Sequence, residues 1–192
     1  MTNVPIVVFG LNHNTAPIEV REKLFVSEDT IPSLTRELKA KGLNENIVLS
    51  TCNRTEFYFS CENLEIALDK FRQTLSEYFD IQEEWLKEYT YLLKDEDTYR
   101  HLFLVASGLD SMVVGEPQIL GQVKDAYRFA TDCNTTGFFL DKVFHKTFNV
   151  AKRIRTETKV GYNPVSISAM AIELAKKIFG ELKDKKILVI GA

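Results

Sequence analysis

The spacing of hydrophobic residues in the first half of the chain switches between the short period of strands and the longer period of helices. Residues 4–11 are a run rich in β-branched side chains, which is typical of a buried strand. Residues 28–41 carry apolar side chains on one helical face, with Ser27 as the expected N-cap and Gly42 as the stop. The pattern predicts, in order, strand 4–11, helix 28–41, strand 47–49, strand 56–61, helix 64–79 and strand 88–94. This order predicts an α+β fold with a ferredoxin-like antiparallel sheet.

From residue 95 onward the hydrophobic spacing is helical. The predicted helices are 95–109, 116–132, 137–159 and 164–179. A final apolar run at 185–190 ends at Gly191, which is how a Rossmann-type dinucleotide-binding unit begins, although only the first glycine of G-x-G-x-x-G is present. We therefore expect one domain at 1–160, with an α+β part at 1–94 and a helical part at 95–160. Residues 161–192 are expected to be a linker helix and the first strand of a truncated second domain.

Composition narrows the class of protein. The 192 residues are 45% hydrophobic and 27% charged, which excludes a disordered tail, a collagen-like fibre and a coiled-coil rod. No apolar run approaches the roughly 18 residues of a membrane span, and no basic residue precedes Arg21, so neither a membrane segment nor a signal peptide is predicted. Three cysteines, an odd number, favour reduced thiols in the cytoplasm. No CxxC, HExxH or paired Cys/His spacing is present, so no metal site is predicted.

Charge is distributed unevenly along the chain. The net charge is −3, which gives no overall basic signal for nucleic acid binding. Residues 62–97 carry a net charge of −7, whereas residues 142–159 carry six basic side chains and one acidic one. Such a basic run is more commonly an ordinary solvated helix face, and the sharper hypothesis is a track for a phosphate backbone.

The most promising nucleophile is Cys52, in the polar stretch from Ser50 to Arg54 that follows an apolar strand. Arg54 is a fixed positive charge two residues away, and a nearby cation favours the reactive thiolate over the thiol. Backbone N–H groups of this turn are candidates to bind a developing oxyanion. On spacing alone, a buried structural cysteine remains the commoner case.

Two further features have the residue types that chemistry needs. His101 lies on a predicted helix. Its neutral imidazole is a candidate general base. The alternative is a half-buried helix histidine whose ring bonds to the backbone. The breaker-rich segment 107–118 ends in Glu116 and Gln118, and Gln122 shares the helix face of Gln118. This segment is a candidate binding site for a small polar ligand. Alternatively, it only connects two helices, and Glu116 complements the dipole of the second helix.

These segments, taken in order, closely resemble the glutamyl-tRNA reductase family. The matching stretches are Gly-Leu-Asn-His-Asn-Thr-Ala-Pro (10–17), Ser-Thr-Cys-Asn-Arg-Thr-Glu (50–56), the run His-Leu-Phe-Leu-Val-Ala-Ser-Gly-Leu-Asp-Ser-Met-Val-Val-Gly-Glu-Pro-Gln-Ile-Leu-Gly-Gln-Val-Lys (101–124), and Val-Ser-Ile-Ser-Ala (165–169). Asn14 and Ser107 depart from the expected pattern without affecting the chemistry. The resemblance spans essentially the whole chain.

The resemblance implies reduction of the glutamyl ester of tRNA to glutamate-1-semialdehyde with NADPH, the first step of the five-carbon route to tetrapyrroles. It implies that Cys52 forms a thioester with the glutamyl group, that His101 assists attack on the ester, and that Arg54 binds a glutamyl carboxylate. Its substrate-contact positions fall on Thr51, Cys52, Asn53, Arg54, Ser111, Glu116, Pro117, Gln118 and Gln122. It also implies a cytoplasmic homodimer with no membrane contact, which hands its product to glutamate-1-semialdehyde aminomutase.

Length is the departure that matters, because the family continues through an NADPH-binding domain and a helical dimerisation domain. Gly191 is expected to begin the NADPH site, so this chain is expected to bind no cofactor and to perform only the thioester half-reaction. The alternative function is a non-catalytic tRNA-binding module that uses the basic helix at 142–159. A thiol redox sensor that pairs Cys52 with Cys61 is a third hypothesis.

Overall fold

The computed structural model describes residues 4–158, 160, 167–183, 185–186 and 188. The four strands are β1 (Ile6–Asn12), β2 (Glu45–Ser50), β3 (Arg54–Ser60) and β4 (Tyr91–Lys94). The eight helices of the described residues are α1 (Ile18–Lys23), α2 (Ile31–Ala40), α3 (Leu64–Phe79), α4 (Glu83–Tyr89), α5 (Asp95–Ser107), α6 (Gln118–Asp132), α7 (Phe138–Glu157) and α8 (Ile167–Phe179).

The four strands form one sheet in the order β2-β3-β1-β4, and every neighbouring pair is antiparallel. The predicted α+β class with an antiparallel sheet is therefore confirmed. Side chains alternate between the two faces, so β1 sends Val7, Phe9 and Leu11 to one face and Ile6 and Val8 to the other. Strands that are buried on both faces read as continuous apolar runs, which explains the sequence of β1.

Helices cover both faces of the sheet. The first core lies between one face and helices α1 to α4, and it centres on Phe71, which packs against Phe9, Phe57 and Phe59. The second core lies between the other face and helices α5, α6 and α7, where Tyr58 packs edge-on against Phe144. The predicted helical part thus forms the second covering layer of the sheet instead of a separate body.

Helix α5 is fixed to the start of β1. The Asp95 side chain accepts a hydrogen bond from the Ile6 N–H at 3.1 Å, and the Thr98 hydroxyl donates to the Ile6 carbonyl at 3.2 Å. Both bonds lie in the first turn of α5, so the helix crosses the sheet at a fixed place. One turn later, His101 comes to lie over β3 and β4.

Several predicted boundaries are wrong, each for a local reason. Helices α1 and α4 were not predicted, since six or seven residues are too few to show a helical period. The predicted strand at 88–94 begins only at Tyr91, because Glu88 and Tyr89 close α4. Ser27 is not the N-cap of α2: residues 28–30 form a turn, and Thr30 occupies the cap position. The predicted strand at 185–190 and Gly191 lie largely outside the described residues.

No described helix combines the length and the apolar character needed to cross a bilayer. That finding agrees with the absence of a long apolar run in the sequence.

Gly10 on β1 stands directly opposite Glu56 on β3. A Cβ atom at Gly10 would lie 2.6 Å from the Thr55 carbonyl oxygen and 2.8 Å from Cγ of Glu56. The missing side chain of Gly10 therefore provides the space that the Glu56 side chain occupies on the second face.

We expect Gly10→Ala to lower the free energy of unfolding by about 2–3 kcal/mol, because the added methyl group would clash with backbone atoms of β3, and moving that strand disturbs the sheet. The matched control is Gly121→Ala on α6, where a Cβ meets nothing within 4 Å. That control is expected to stabilise the protein by about 0.5–1 kcal/mol through helix propensity. Urea unfolding of both variants measures the difference, and equal midpoints would contradict the close fit at Gly10.

Candidate functional site

Cys52 lies at the tip of the β2–β3 hairpin, and its side chain is exposed. The turn is closed by the Thr51 N–H, which donates to the Arg54 carbonyl at 2.8 Å. The Thr51 hydroxyl oxygen accepts the N–H groups of Asn53 and Arg54, both at 3.2 Å. The prediction that these turn N–H groups await an oxyanion is therefore wrong for Asn53 and Arg54, because Thr51 already satisfies both.

The segment between β1 and α1 holds the same turn from its other side. The His13 N–H donates to the Asn53 carbonyl at 2.9 Å, and Nε of Arg21 donates to the Cys52 carbonyl at 3.4 Å. Nη1 of Arg21 also donates to the Ala16 carbonyl at 2.8 Å, which fixes the guanidinium in place. The backbone on both sides of the Cys52 thiol is thus anchored while the thiol itself faces solvent.

Arg54 points away from the turn into the second core, and only 2% of its side chain is exposed. Its Nη1 donates to Oε1 of Glu56 at 2.5 Å. Its Nη2 donates to the carbonyl and carboxylate oxygens of Asp110 at 2.5 and 2.9 Å. The described contacts of Arg54 are therefore internal, and binding of a glutamyl carboxylate by this residue stays a prediction.

Glu56 is fully buried and accepts four hydrogen bonds. Its Oε1 accepts from Arg54, from the Tyr91 hydroxyl at 2.6 Å and from Nε2 of His101 at 2.9 Å. Its Oε2 accepts from the Tyr58 hydroxyl. The donors come from β3, β4 and α5, so one carboxylate joins three elements of the fold.

The protonation states of this network follow from charge and burial. Burial raises the pKa of Glu56. The interactions with Arg54 and then with His101 lower it by more than burial raises it, so the pKa lies well below its usual value. Burial lowers the pKa of Arg54, and Glu56 raises it by more, so the guanidinium keeps its charge. Burial and the Glu56 charge raise the pKa values of Tyr58 and Tyr91, which therefore remain hydroxyl donors.

The ionised state of Glu56 determines how His101 is oriented. A carboxylate only accepts hydrogen bonds, so Nε2 of His101 must carry a hydrogen and donate it. Nδ1 is then left as the ring atom able to accept a proton in the neutral imidazole. The His101 side chain is 12% exposed, and the edge of its ring packs against Tyr91.

The segment between α5 and α6 folds over this network and carries most of the predicted substrate contacts. Gly108 ends α5 in a left-handed conformation, and its carbonyl accepts the Gly115 N–H at 2.8 Å. The Ser111 hydroxyl is buried and has no hydrogen-bond partner among the described residues. Pro117 and Gln118 are exposed at the start of α6, where Gln122 is also exposed, and Glu116 is half-buried.

The structure therefore places the predicted substrate-contact residues in three parts of the fold: the hairpin turn, the segment between α5 and α6, and the start of α6. Thr51, Cys52 and Asn53 form the hairpin turn, and Asp110 joins Arg54 to the segment that contains Ser111 and Glu116. Gln118 and Gln122 lie along the first turns of α6. The predicted cofactor residue, Gly191, lies outside the described residues.

The other cysteines lie apart from this site. Cys61 follows the far end of β3, about 20 Å of strand away from the hairpin turn, whereas a disulfide needs Cα atoms within roughly 7 Å. Burial raises the pKa of Cys61, and the Asp95 charge raises it further, which keeps it as an unreactive thiol. The redox-sensor hypothesis that pairs Cys52 with Cys61 is therefore wrong.

The described residues contain no cluster of three potential metal ligands.

Sequence reasoning missed Glu56, Tyr58, Tyr91 and Asp110, and it assigned His13 no part in the site. A signal for two of them exists in the sequence. Arg54, Glu56 and Tyr58 alternate along one strand, so they share a face that the helical second half must cover. His13 is a further neighbour of the turn: its Nδ1 is buried without a partner among the described residues, and burial followed by the Arg54 charge lowers its pKa.

Comparisons with known proteins show the family to which this chain is related. Residues 9–158 match the family model described as the N-terminal domain of glutamyl-tRNAGlu reductase. This chain belongs to the glutamyl-tRNA reductase family. It is 48% identical to the glutamyl-tRNA reductase of Syntrophobacter fumaroxidans and 45% identical to that of Trichlorobacter lovleyi, over 97% of the chain in each case. The solved glutamyl-tRNA reductase from Methanopyrus kandleri matches 100% of the chain with a TM-score of 0.69 and 35% identity.

The chain spans less than half the length of the relatives that it matches. It covers 41% of the Syntrophobacter fumaroxidans protein, 43% of the Trichlorobacter lovleyi protein and 44% of the Methanopyrus kandleri chain. The family-model match begins within β1 and ends at the C-cap of α7, so it covers most of the sheet and of both cores and the whole Cys52 turn.

We expect Glu56→Gln to lower the free energy of unfolding by about 3–5 kcal/mol at pH 7, because it leaves the buried Arg54 charge without its partner. Urea unfolding measures the change. Glu157→Gln is the matched control, since Glu157 forms an exposed ion pair with Arg153 on α7. Removal of such a pair is expected to cost less than about 1 kcal/mol, and equal losses in the two variants would contradict the role of Glu56.

The pH dependence of stability provides a second test of the same carboxylate. Because the folded protein depresses the pKa of Glu56, its contribution is complete above the usual value of about 4.5 and is lost as the pH falls through the folded value. Wild-type protein should therefore lose stability below pH 4.5 more steeply than Glu56→Gln, by up to roughly 1.4 kcal/mol per pH unit. Parallel curves in urea titrations from pH 6 to 3 would show that the folded protein does not depress the pKa of Glu56.

Proposed function

We propose that this chain is the catalytic domain of a glutamyl-tRNA reductase, and that Cys52 accepts the glutamyl group from the glutamyl ester of tRNA. The observation that carries the proposal is the exposed Cys52 thiol on a turn whose backbone is held on both sides. A bulky ester can approach a thiol at the tip of a hairpin. The family membership supports glutamyl-tRNA as the substrate.

In the proposed step, the Cys52 thiolate attacks the ester carbonyl carbon and forms a carbon–sulfur bond. The bond between that carbon and the ribose oxygen breaks, and the tRNA leaves as an alkoxide that takes up a proton. Nδ1 of His101 is the proposed group that receives or returns a proton, because its Nε2 is committed to Glu56. The resulting thioester keeps the acyl group activated, since a thiolate is a good leaving group.

The segment that carries Ser111 and Glu116–Gln118, with Gln122 on α6, is proposed to bind the glutamyl group. The buried Ser111 hydroxyl supports this proposal, because it lacks a hydrogen-bond partner among the described residues and so remains able to bind one. Thr51 and Asn53 are proposed to shape the turn, and Arg54 is proposed to place this segment against it through Asp110.

We further propose a domain boundary near residue 160. Residues 1–94 would form the ferredoxin-like part and residues 95–160 the helical part, with 161–192 leading into a Rossmann-type domain that begins near Gly191. In the family, NADPH supplies the hydride that reduces the thioester to the aldehyde. We propose the acyl-transfer half-reaction for the part of the chain that the structure describes. A cytoplasmic, homodimeric parent enzyme that passes its product to the aminomutase remains part of the proposal.

Mass spectrometry of the intact protein after mixing with glutamyl-tRNA tests the acyl transfer. Wild-type protein should gain one glutamyl group on Cys52, and Cys52→Ser should lose at least about 99% of the acylation rate, because a hydroxyl is a far weaker nucleophile than a thiolate.

The matched control is Cys133→Ser, which alters a half-buried cysteine just beyond α6. It should acylate like the wild type. A glutamyl adduct on another residue, or an unmodified wild-type protein, would overturn the proposed function.

The tRNA-binding alternative is favoured by exposed lysines on α7, and we include it as part of the same function. Lys146 and Lys152 are exposed on this helix. Arg153 is paired with Glu157, and Arg155 donates to the Glu116 carbonyl, so these two residues are engaged within the chain. A phosphate contact on α7 therefore rests on the lysines.

We expect Lys146→Glu/Lys152→Glu to weaken tRNA binding about tenfold or more at low salt, because each lost phosphate contact removes counterion release. The slope of log affinity against log salt should fall by about one per contact. Filter binding across a salt series measures both values, with Lys124→Glu/Arg128→Glu on α6 as a control of equal charge change at two other exposed residues. Unchanged affinity would exclude α7 from the tRNA surface.

A further inference from the structure

Arg155 occupies a different environment from the other basic residues of α7. Its side chain is half-buried, and its Nη2 donates to the Glu116 carbonyl oxygen at 2.5 Å. Lys152, one turn earlier, is exposed. The bond joins residues 39 positions apart, from the last turn of α7 to the segment that carries the proposed substrate contacts.

The acceptor of that bond, the Glu116 carbonyl oxygen, lies close to the backbone of Gly108. The Glu116 carbonyl oxygen lies 3.2 Å from where a Cβ atom at Gly108 would be, and the Gly115 N–H bonds the Gly108 carbonyl. The Glu116 N–H in turn donates to the Val113 carbonyl at 3.1 Å. Arg155 therefore acts on the closure of residues 108–116, the short loop in which Ser111 lies.

The loop has two guanidinium anchors. Arg54 holds its beginning through the carbonyl and carboxylate of Asp110, and Arg155 holds its end through Glu116. With both ends fixed, the backbone between them has little freedom to move Ser111. Loss of one hydrogen bond to a charged group is enough to change a loop's population of the bound conformation by about tenfold or more.

We propose that Arg155 is a positioning residue that holds the substrate-binding loop 108–116 in its working conformation, and that it is not a tRNA contact. The proposal rests on the proposed function only for the identity of the substrate. It gives α7 two roles: exposed lysines on its outer face, and one half-buried arginine that fixes the loop.

The test uses Arg155→Met, which keeps the apolar stem and removes the guanidinium, with Arg155→Lys as the conservative variant. Arg153→Met on the same helix is the matched control, because Arg153 is exposed and its described ion pair is with Glu157. The substrates are glutamyl-tRNA and a tRNA-free activated glutamyl aryl ester, and Cys52 acylation is measured on both. Arg155→Met should lower the second-order rate constant of single-turnover acylation about tenfold on both substrates, mainly through a higher half-saturating substrate concentration, because the Cys52 turn and its buried network are untouched.

Arg155→Lys should recover part of that loss, and Arg153→Met should leave the reaction with both substrates unchanged. If Arg155 instead contacts tRNA phosphate, Arg155→Met will weaken tRNA binding and reduce its salt slope by about one, with no effect on the aryl ester. That result would overturn the proposal, as would wild-type kinetics in Arg155→Met.

Amide hydrogen exchange separates this inference from the proposed function. Arg155→Met should speed exchange of a peptide that covers residues 108–118 and leave residues 51–56 unchanged, whether or not the protein acylates. Unchanged exchange in 108–118 would overturn the positioning role. A wild-type protein that never forms a Cys52 adduct, but whose loop loosens in Arg155→Met, would overturn the proposed function alone.

Discussion

A fully buried carboxylate, Glu56, is the constraint on which the arrangement of the site depends. A buried charge is tolerated only when it is paired and fully hydrogen-bonded, and Glu56 meets that requirement with four donors. Those donors come from β3, β4 and α5, and they can converge only when α5 crosses the sheet where it does. The packing of the second core is thereby tied to the position of His101. Gly10, opposite Glu56, completes the arrangement by leaving room for the side chain.

This network divides the site into an exposed nucleophile and a buried support. Cys52 faces solvent on the hairpin turn, whereas Arg54 two residues later has its guanidinium in the second core. Alternation along the strand makes this possible, because it sends Arg54, Glu56 and Tyr58 to the same face. A buried ion pair is weak evidence for stability, since hydrophobic residues often serve as well. The network is better understood as fixing geometry: it determines the direction of the His101 ring and the place where Asp110 meets the turn.

Local patterns predicted the four described strands, the six described helices of ten or more residues and the position of Cys52, because those depend on residues close in sequence. The buried network was not predicted, since it joins Glu56 to His101 across 45 positions and to Tyr91 across 35. Arg54 illustrates the difference. Sequence spacing placed its charge beside Cys52, but the strand turns its side chain away, toward Glu56 and Asp110. The short helices α1 and α4 were missed because two turns carry too little periodic signal.

The basic run on α7 shows why a charge count from sequence overstates a binding surface. Of its arginines, Arg153 is paired with Glu157 on the next turn, and Arg155 is committed to the Glu116 carbonyl. Arginine suits such internal anchoring because its planar group offers several donors, whereas lysine presents a single well-hydrated charge at the surface. The two residue types therefore divide the helix between a contact inside the fold and a face toward solvent. Arg155 bonds to the loop that follows α5, so the end of α7 is connected to the segment of the proposed substrate contacts. A displacement of the end of α7 therefore requires that segment to move or the hydrogen bond to break.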